Sequence, residues 1–263
     1  MKIKGFQWIV LCVVIMFASF AAAEEITIVG TGGGVAILEA VASAFTQAHP
    51  EVSVHVPKSI GSGGGIKAVG RDEQVLGRVA RPIKEKEAHF GLTHVPIAKM
   101  PIVFFTHKSA GITNLSAQQV LDIYSGKITN WKDVGGQNAR IRVVRREDGD
   151  SSLSVLEKSF PGFKDITITE RSKTVFSDPD TLSIVEKKAG TIAFGTYGNA
   201  AGHALNILNI DNISPSDKKY AYFGTLALIF KEKNREGNAA AFIKFATSET
   251  AHEPIKNAGG LPF

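Results

Sequence analysis

Short, dense runs of apolar residues alternate along this chain with longer stretches in which apolar residues recur at helical spacing. Read by period, "EITIVG", "VSVHVP", "PIVFFTH", "IRVVRR", "TIAFGTY", "ALNIL" and "TLALIFK" are strands, rich in the branched and aromatic side chains that fit a pleated surface. The clearest helical stretch is 34–46, where Ile37, Leu38, Val41, Ala44 and Phe45 fall on one face of a 3.6-residue period. A second covers 238–257, with Phe242, Ile243, Phe245 and Ala246. Strands alternating with helices predict an α/β fold with mainly parallel strands. Ligands of such folds gather beyond the carboxyl ends of the strands.

The first 23 residues stand outside this pattern. Lys2 and Lys4 precede an apolar core that ends in Ala21-Ala22-Ala23, the layout of a secretory signal peptide, so the mature chain is expected to start near Glu24. No second apolar span follows. Cys12 is the only cysteine, and Leu11 precedes it where a lipid-attachment site would carry a small residue. The exported chain would therefore hold neither a disulfide nor a cysteine metal site, and its length suffices for a core without them.

Charge narrows the field further. Loss of Lys2 and Lys4 lowers the formal net charge from +5 to +3, and the chain shows no dense basic face interleaved with aromatics. A nucleic acid is not the expected partner. A small anion is.

Three places share one local design, a strand that runs through a glycine- or serine-rich turn into a helix. They are "ITIVGTGGGVAILEAV", "VSVHVPKSIGSGGGIKAV" and "IRVVRREDGDSSLSVLEKSF". Each helix start offers backbone N–H groups without helical partners and the positive end of a dipole. Three of them meeting at one point with Arg146 would surround an oxyanion with donors. Other chemistries lack their signatures. The P-loop pattern fails because Lys67 lies between Ile66 and Ala68, no Gly-x-Ser-x-Gly occurs, and the seven histidines show no metal-binding spacing.

The same segments resemble the phosphate-binding proteins of ABC importers, members of the type II periplasmic solute-binding class. The likeness runs through "GTGGGVA", "SIGSGGGIKAV", "LSAQQVLDIYSGKITNWKDVGG", "REDGDSS", "GTIAFGTYG" and "GGLPF". It implies an α/β, two-lobed fold of two mixed sheets flanked by helices, with the ligand cleft between the lobes. Lobe one would hold 24–104 and 225–263, lobe two 105–224, with crossovers near 104–107 and 222–225. Carried over by motif, Gly33, Gly34 and Val35 would offer backbone donors, and Ser62 and Gly63 a hydroxyl and an N–H. Arg146, Ser151 and Ser152 would grip from the other lobe. The implied ligand is phosphate or a related oxyanion. The implied partners are an ABC permease and its ATPase, the compartment the periplasm, and the chain a monomer without cofactor or metal.

Two departures from the family pattern bear on the ligand. Ala80 and Arg81 precede Pro82 where the family carries a proton-accepting aspartate, and Asp150-Ser151-Ser152 replaces Ser-Gly-Thr. Asp150 is read either as a helix N-cap or as the missing proton acceptor. Of the adjacent Arg145 and Arg146, only one can face the cleft, because neighbouring strand residues point to opposite sides. Motif spacing selects Arg146. An exported phosphatase, or a sensory or surface protein that keeps the fold without the ligand, stands as the alternative, since anion cradles also serve catalysis.

Overall fold

The computed structural model describes residues 24–263, so the expected signal peptide lies outside the described residues. The chain begins with β1 (Glu24–Gly30), α1 (Val35–Ala48), β2 (Val52–His55), α2 (Gly61–Gly70) and β3 (Leu76–Val79). A 3₁₀ turn at Glu85–Phe90 leads into β4 (Thr93–His107), followed by β5 (Asn114–Leu115), α3 (Ala117–Tyr124), β6 (Arg142–Arg146) and α4 (Ser151–Ser159). Then come β7 (Lys173–Val175), α5 (Asp178–Lys187), β8 (Thr191–Thr196), α6 (Tyr197–Ala200), β9 (Leu205–Ile207) and β10 (Asn209–Ile210). The chain closes with β11 (Phe223–Phe230), α7 (Gly237–Ala246), α8 (His252–Asn257) and β12 (Leu261–Pro262).

The strands are ordered β2-β1-β3-β11-β4-β8-β6-β7. β1 runs parallel to β2 and β3, and β6 runs parallel to β7 and β8. The expectation of a mainly parallel sheet misses the centre, where β11 is antiparallel to both β3 and β4, and β4 is antiparallel to β8. The cause is β4, whose fifteen residues serve two groups of strands: Thr93–Pro101 pairs with β11, and Ile102–Thr106 pairs with β8.

Burial follows the same division. Ile28, Leu38, Phe45, Leu228 and Phe242 pack into one core with Ala98 and Met100 of β4. Beyond Pro101, Ile102 and Phe104 belong to another, with Tyr124, Trp131, Leu156 and Phe194. Smaller apolar clusters on the opposite sheet faces involve Ile66 and Val69 of α2 and Val185 of α5. The chain returns beside β4 at Tyr222, whose carbonyl accepts from the Ile102 N–H at 2.8 Å, while the buried Tyr220 hydroxyl donates to the Ile102 carbonyl at 2.6 Å.

All seven strands read from the sequence are present in whole or part, and β3, the first half of β4, β5, β7, β10 and β12 are additions. The helix read at 34–46 is α1, with Ala42 in the core in place of the more exposed Ala44. The single helix expected over 238–257 is broken. The hydroxyls of Thr247 and Ser248 donate to the carbonyls of Ile243 and Phe245, closing α7, and the chain turns before α8.

Candidate functional site

A cleft of about 320 Å³ opens where β1, β6 and the chain after β2 run out of their strands. Its walls come from all three glycine- or serine-rich junctions: Thr31 and Gly32 before α1, Gly61, Ser62 and Gly63 at the start of α2, and Gly149, Asp150 and Ser151 leading into α4. The N-cap residues of α1 and α2, Gly34 and Ile60, make no side-chain cap bond; at α2 the Ser59 hydroxyl accepts from the Gly61 N–H at 3.1 Å. The Thr31 and Ser151 hydroxyls face each other at 3.4 Å, and Asn199 Nδ2 donates to the Gly32 carbonyl at 3.3 Å.

Packing explains the bare backbone of the second junction. Gly65 presses α2 onto β1: a Cβ there would sit 2.9 Å from Gly30 Cα and 3.1 Å from the Val29 carbonyl oxygen. The helix thus lies closer to the sheet than any other residue allows. α2 starts at Gly61, so Gly63 is in its first turn beside the cleft, while Ser62 accepts from the Ala80 N–H at 3.1 Å and keeps its own proton to donate.

Arg146 is the buried cation of the cleft, 5% exposed. Its Nη1 donates to Asp178 at 2.6 Å, its Nη2 lies 3.1 Å from Asp150, and its Nε lies 3.4 Å from Glu147. A guanidinium has five N–H donors, so two remain, one on each terminal nitrogen. Burial pulls its pKa down, but the charges of Asp178, Asp150 and Glu147 more than offset this and hold it above the usual value. Arg145 points elsewhere, to its exposed partner Asp148 and the Arg146 carbonyl.

Of the two roles that the sequence left open for Asp150, the geometry shows the N-cap. Its Oδ1 caps α4, accepting from the N–H groups of Ser152 and Leu153 at 3.0 Å each, while Oδ2 faces Arg146. Burial pushes its carboxyl up to about 6, against the pull of Arg146.

Arg81 forms the opposite wall. It makes a two-pronged pair with Glu87, both N···O distances being 2.8 Å, and donates to the Pro82 carbonyl. Those bonds hold the Glu87 carboxyl down at about 2, despite burial. Counting charged side chains in the lining, two arginines meet Glu147, Asp150 and Asp178. Attraction for an anion must therefore come from helix starts and hydroxyls as much as from net charge.

Of the residues marked in the sequence, Ser62, Gly63, Arg146, Asp150 and Ser151 line the cleft. Gly33, Gly34, Val35 and Ser152 do not. The Val35 N–H already bonds the Gly32 carbonyl, Gly34 packs on Leu226, and the Ser152 N–H is taken by Asp150. The first junction instead presents Thr31 and Gly32, one to two residues earlier. Sequence reasoning also missed Asp178. Its signal was a fourth strand-to-helix start, "TVFSDPD", in which Ser177 caps α5 and Pro179 sits in the first turn. A Cβ on Gly32 would collide with the Asp178 carboxylate, so that glycine is required for the two loops to meet. Arg78 is the other omission. It is fully buried and donates to the carbonyls of Thr31 and Pro57 at 2.7 Å each and to that of Ile28, clamping the loops that bear the first two junctions. Burial lowers its pKa to about 10, leaving it charged at neutral pH.

A mixed sheet flanked by helices, with a cleft bordered by strand ends from both halves, is the type II periplasmic binding protein fold. A family model described as a PBP superfamily domain matches residues 18–250, and the chain belongs to that family. Similar proteins include the phosphate-binding protein PstS of Borreliella burgdorferi, 25% identical over 214 residues that cover 76% of this chain and 77% of that protein. The protein of the same name from Bacillus subtilis is 25% identical over 242 residues, 89% of this chain and 79% of its own length. Among solved structures, a protein described as a phosphate ABC transporter substrate-binding protein from Clostridium perfringens, solved with bound phosphate, superposes with a TM-score of 0.81. It shares 27% identity, over 91% of this chain and 100% of that one.

Proposed function

We propose that this chain is an exported solute-binding protein that captures inorganic phosphate, or a closely similar tetrahedral oxyanion, and delivers it to a membrane permease driven by an ATPase. The observation that carries this reading is the convergence of three strand-to-helix junctions on one cleft around Arg146. The relatives named for phosphate binding support the choice of anion. In this reading 24–104 with 225–263 forms one lobe and 105–224 the other, and the β4 crossover and the return near Tyr222 act as the hinge. Closure of the lobes buries the anion and is the event the permease reads.

Within the cleft the anion takes the two remaining N–H groups of Arg146, the hydroxyls of Thr31, Ser62 and Ser151, and backbone donors at the start of α2. Asp150 accepts the proton of hydrogen phosphate, supplying the acceptor that the Ala80-Arg81-Pro82 segment lacks. A tetrahedral dianion without a proton would meet a lone pair there and be repelled.

A thermal-shift screen of the secreted form, freed of ligand by unfolding and refolding, tests the reading against phosphate, arsenate, sulfate, molybdate and tungstate. At a hundred times its dissociation constant, phosphate adds about 2.7 kcal/mol, which raises the midpoint of a chain this size by roughly 5–11 °C. A clear shift with molybdate and none with phosphate would replace the ligand and keep the fold. Steady release of phosphate from phosphomonoesters would instead make the protein an enzyme.

A further inference from the structure

A second and larger cavity, about 850 Å³, lies away from the cleft, where the sheet is incomplete. β7 pairs with β6 only from Val144 onward, and the Ile141 N–H bonds Thr129, so Arg142 and Val143 are paired with β8 on one side and with no strand on the β7 side. The cavity fills that gap. Its floor is apolar, formed by Ile123, Val143, Ile168 and Ile184 among others. Its rim carries Arg140, Arg142, Arg171, Lys173 and Lys188 against a single acid, Glu170. None of these five cations forms an ion pair among the described residues; Arg142 alone has a side-chain hydrogen bond, to the Ala189 carbonyl at 3.3 Å.

The charge distribution is lopsided. The rim holds a net +4, more than the +3 that remains of the chain's formal charge of +5 once Lys2 and Lys4 are set aside. Everything else in residues 24–263 is close to neutral, and the main cleft itself has more carboxylates than arginines. Five unpaired cations around an apolar floor are an unfavourable surface to leave empty, since they repel one another and expose apolar area to water. Both costs are relieved by one kind of ligand, a molecule with several negative charges joined to an apolar body.

We propose that this cavity is a second ligand site, for a small organic polyanion of the nucleoside diphosphate class, whose phosphates meet the rim and whose base lies on the apolar floor. Its volume is within the range of small-molecule sites, and its concave shape favours a compact ligand over a flat surface. The inference is independent of the phosphate reading of the main cleft.

The test is calorimetric titration of residues 24–263 with ADP, without divalent metal, at low ionic strength and in saturating phosphate so that the main cleft is occupied. Saturable binding of one ADP per chain is expected. The exposed pair Arg171→Glu and Lys173→Glu, changed together, should weaken ADP at least about tenfold and leave phosphate affinity unchanged, because two attractive charges become repulsive. Pyrophosphate, which lacks the apolar body, should bind about tenfold more weakly than ADP. Circular dichroism verifies that the double variant is folded. No ADP binding, ADP binding that survives the double reversal, or equal affinity for pyrophosphate would overturn the proposal. So would capture by phosphatidylglycerol vesicles without ADP binding, which would make a membrane the partner.

Discussion

Arg146 and Arg145 are chemically the same and sit next to each other, yet their surroundings give them opposite fates. Arg146 is buried among three carboxylates beside the cleft, and Arg145 pairs with Asp148, which is 93% exposed. Truncating Arg146 to alanine should weaken phosphate binding by about 2–5 kcal/mol, roughly thirtyfold to several-thousandfold. Arg145→Ala should cost about 0–1 kcal/mol, the worth of a surface pair. Arg146→Lys should fall between, keeping the charge but losing the fork. Titration of each folded variant at fixed ionic strength checks the order, and a damaging Arg145→Ala beside a mild Arg146→Ala would refute it. Asp150 carries a second prediction. Its carboxyl, raised by burial to about 6, holds its proton more tightly in the folded chain than in the unfolded one, where the ordinary value is 3.8. Its contribution is therefore stabilising below about 4 and is lost as pH rises through about 6. Asp150→Asn keeps a good N-cap. In that variant the ligand-free stability gain between pH 6 and 4 should shrink, and discrimination of phosphate over sulfate should fall at least about tenfold, because an amide does not repel sulfate. Unaltered selectivity in a folded Asp150→Asn protein would remove Asp150 from ligand recognition.

At the scale of elements, the cleft is built by strand ends whose loops are tied down from behind. Arg78 of β3 does this for two loops at once through three backbone carbonyls, with no ion pair within 4 Å among the described residues. Arg78→Leu leaves those buried carbonyls unpaired and should lower stability by about 3–5 kcal/mol. At roughly 2–4 °C per kcal/mol, the thermal midpoint should drop by about 6–20 °C. Chemical denaturation of the ligand-free variant measures this loss directly, and a change under about 1 kcal/mol would show that water takes over the carbonyls. The same variant is expected to bind phosphate more weakly, because Thr31 and Ser59–Ser62 would lose their fixed positions.

For the whole molecule, the two largest cores are joined through β4 and the return strand, with Tyr220 and Tyr222 bonded to Ile102 at the junction, and the halves touch again where α1 meets α6 and Asn199 bonds the Gly32 carbonyl. If the two cores act as the proposed lobes, rotation about this connection would open and close the cleft. Small-angle scattering should show a smaller radius of gyration in saturating phosphate than in its absence. Arg146→Ala at the same phosphate concentration should keep the larger value. An identical radius with and without ligand in a protein that binds phosphate would mean that capture needs no lobe movement.

The sequence by itself determined what depends on neighbours in the chain. Val- and Ile-rich runs specified the seven main strands, the period of Ile37, Leu38, Val41 and Phe45 specified α1, and Asp150 before "SSL" specified a capped α4. It also chose Arg146 over Arg145 by strand alternation and motif spacing. The tertiary structure decided what depends on residues far apart. That β4 serves both halves of the sheet follows from its pairing with β11 more than a hundred residues later, which no local period encodes. Asp178 joins the cleft only because β7 and α5 bring it within 2.6 Å of Arg146, across 32 residues of chain. Thr31 and Gly32 displace Gly33 to Val35 from the cleft because the first turn of α1 spends the Val35 N–H on Gly32 and packs Gly34 on Leu226. Local propensity sets which residues start a helix; the packing of that helix on its sheet sets which of them face the ligand.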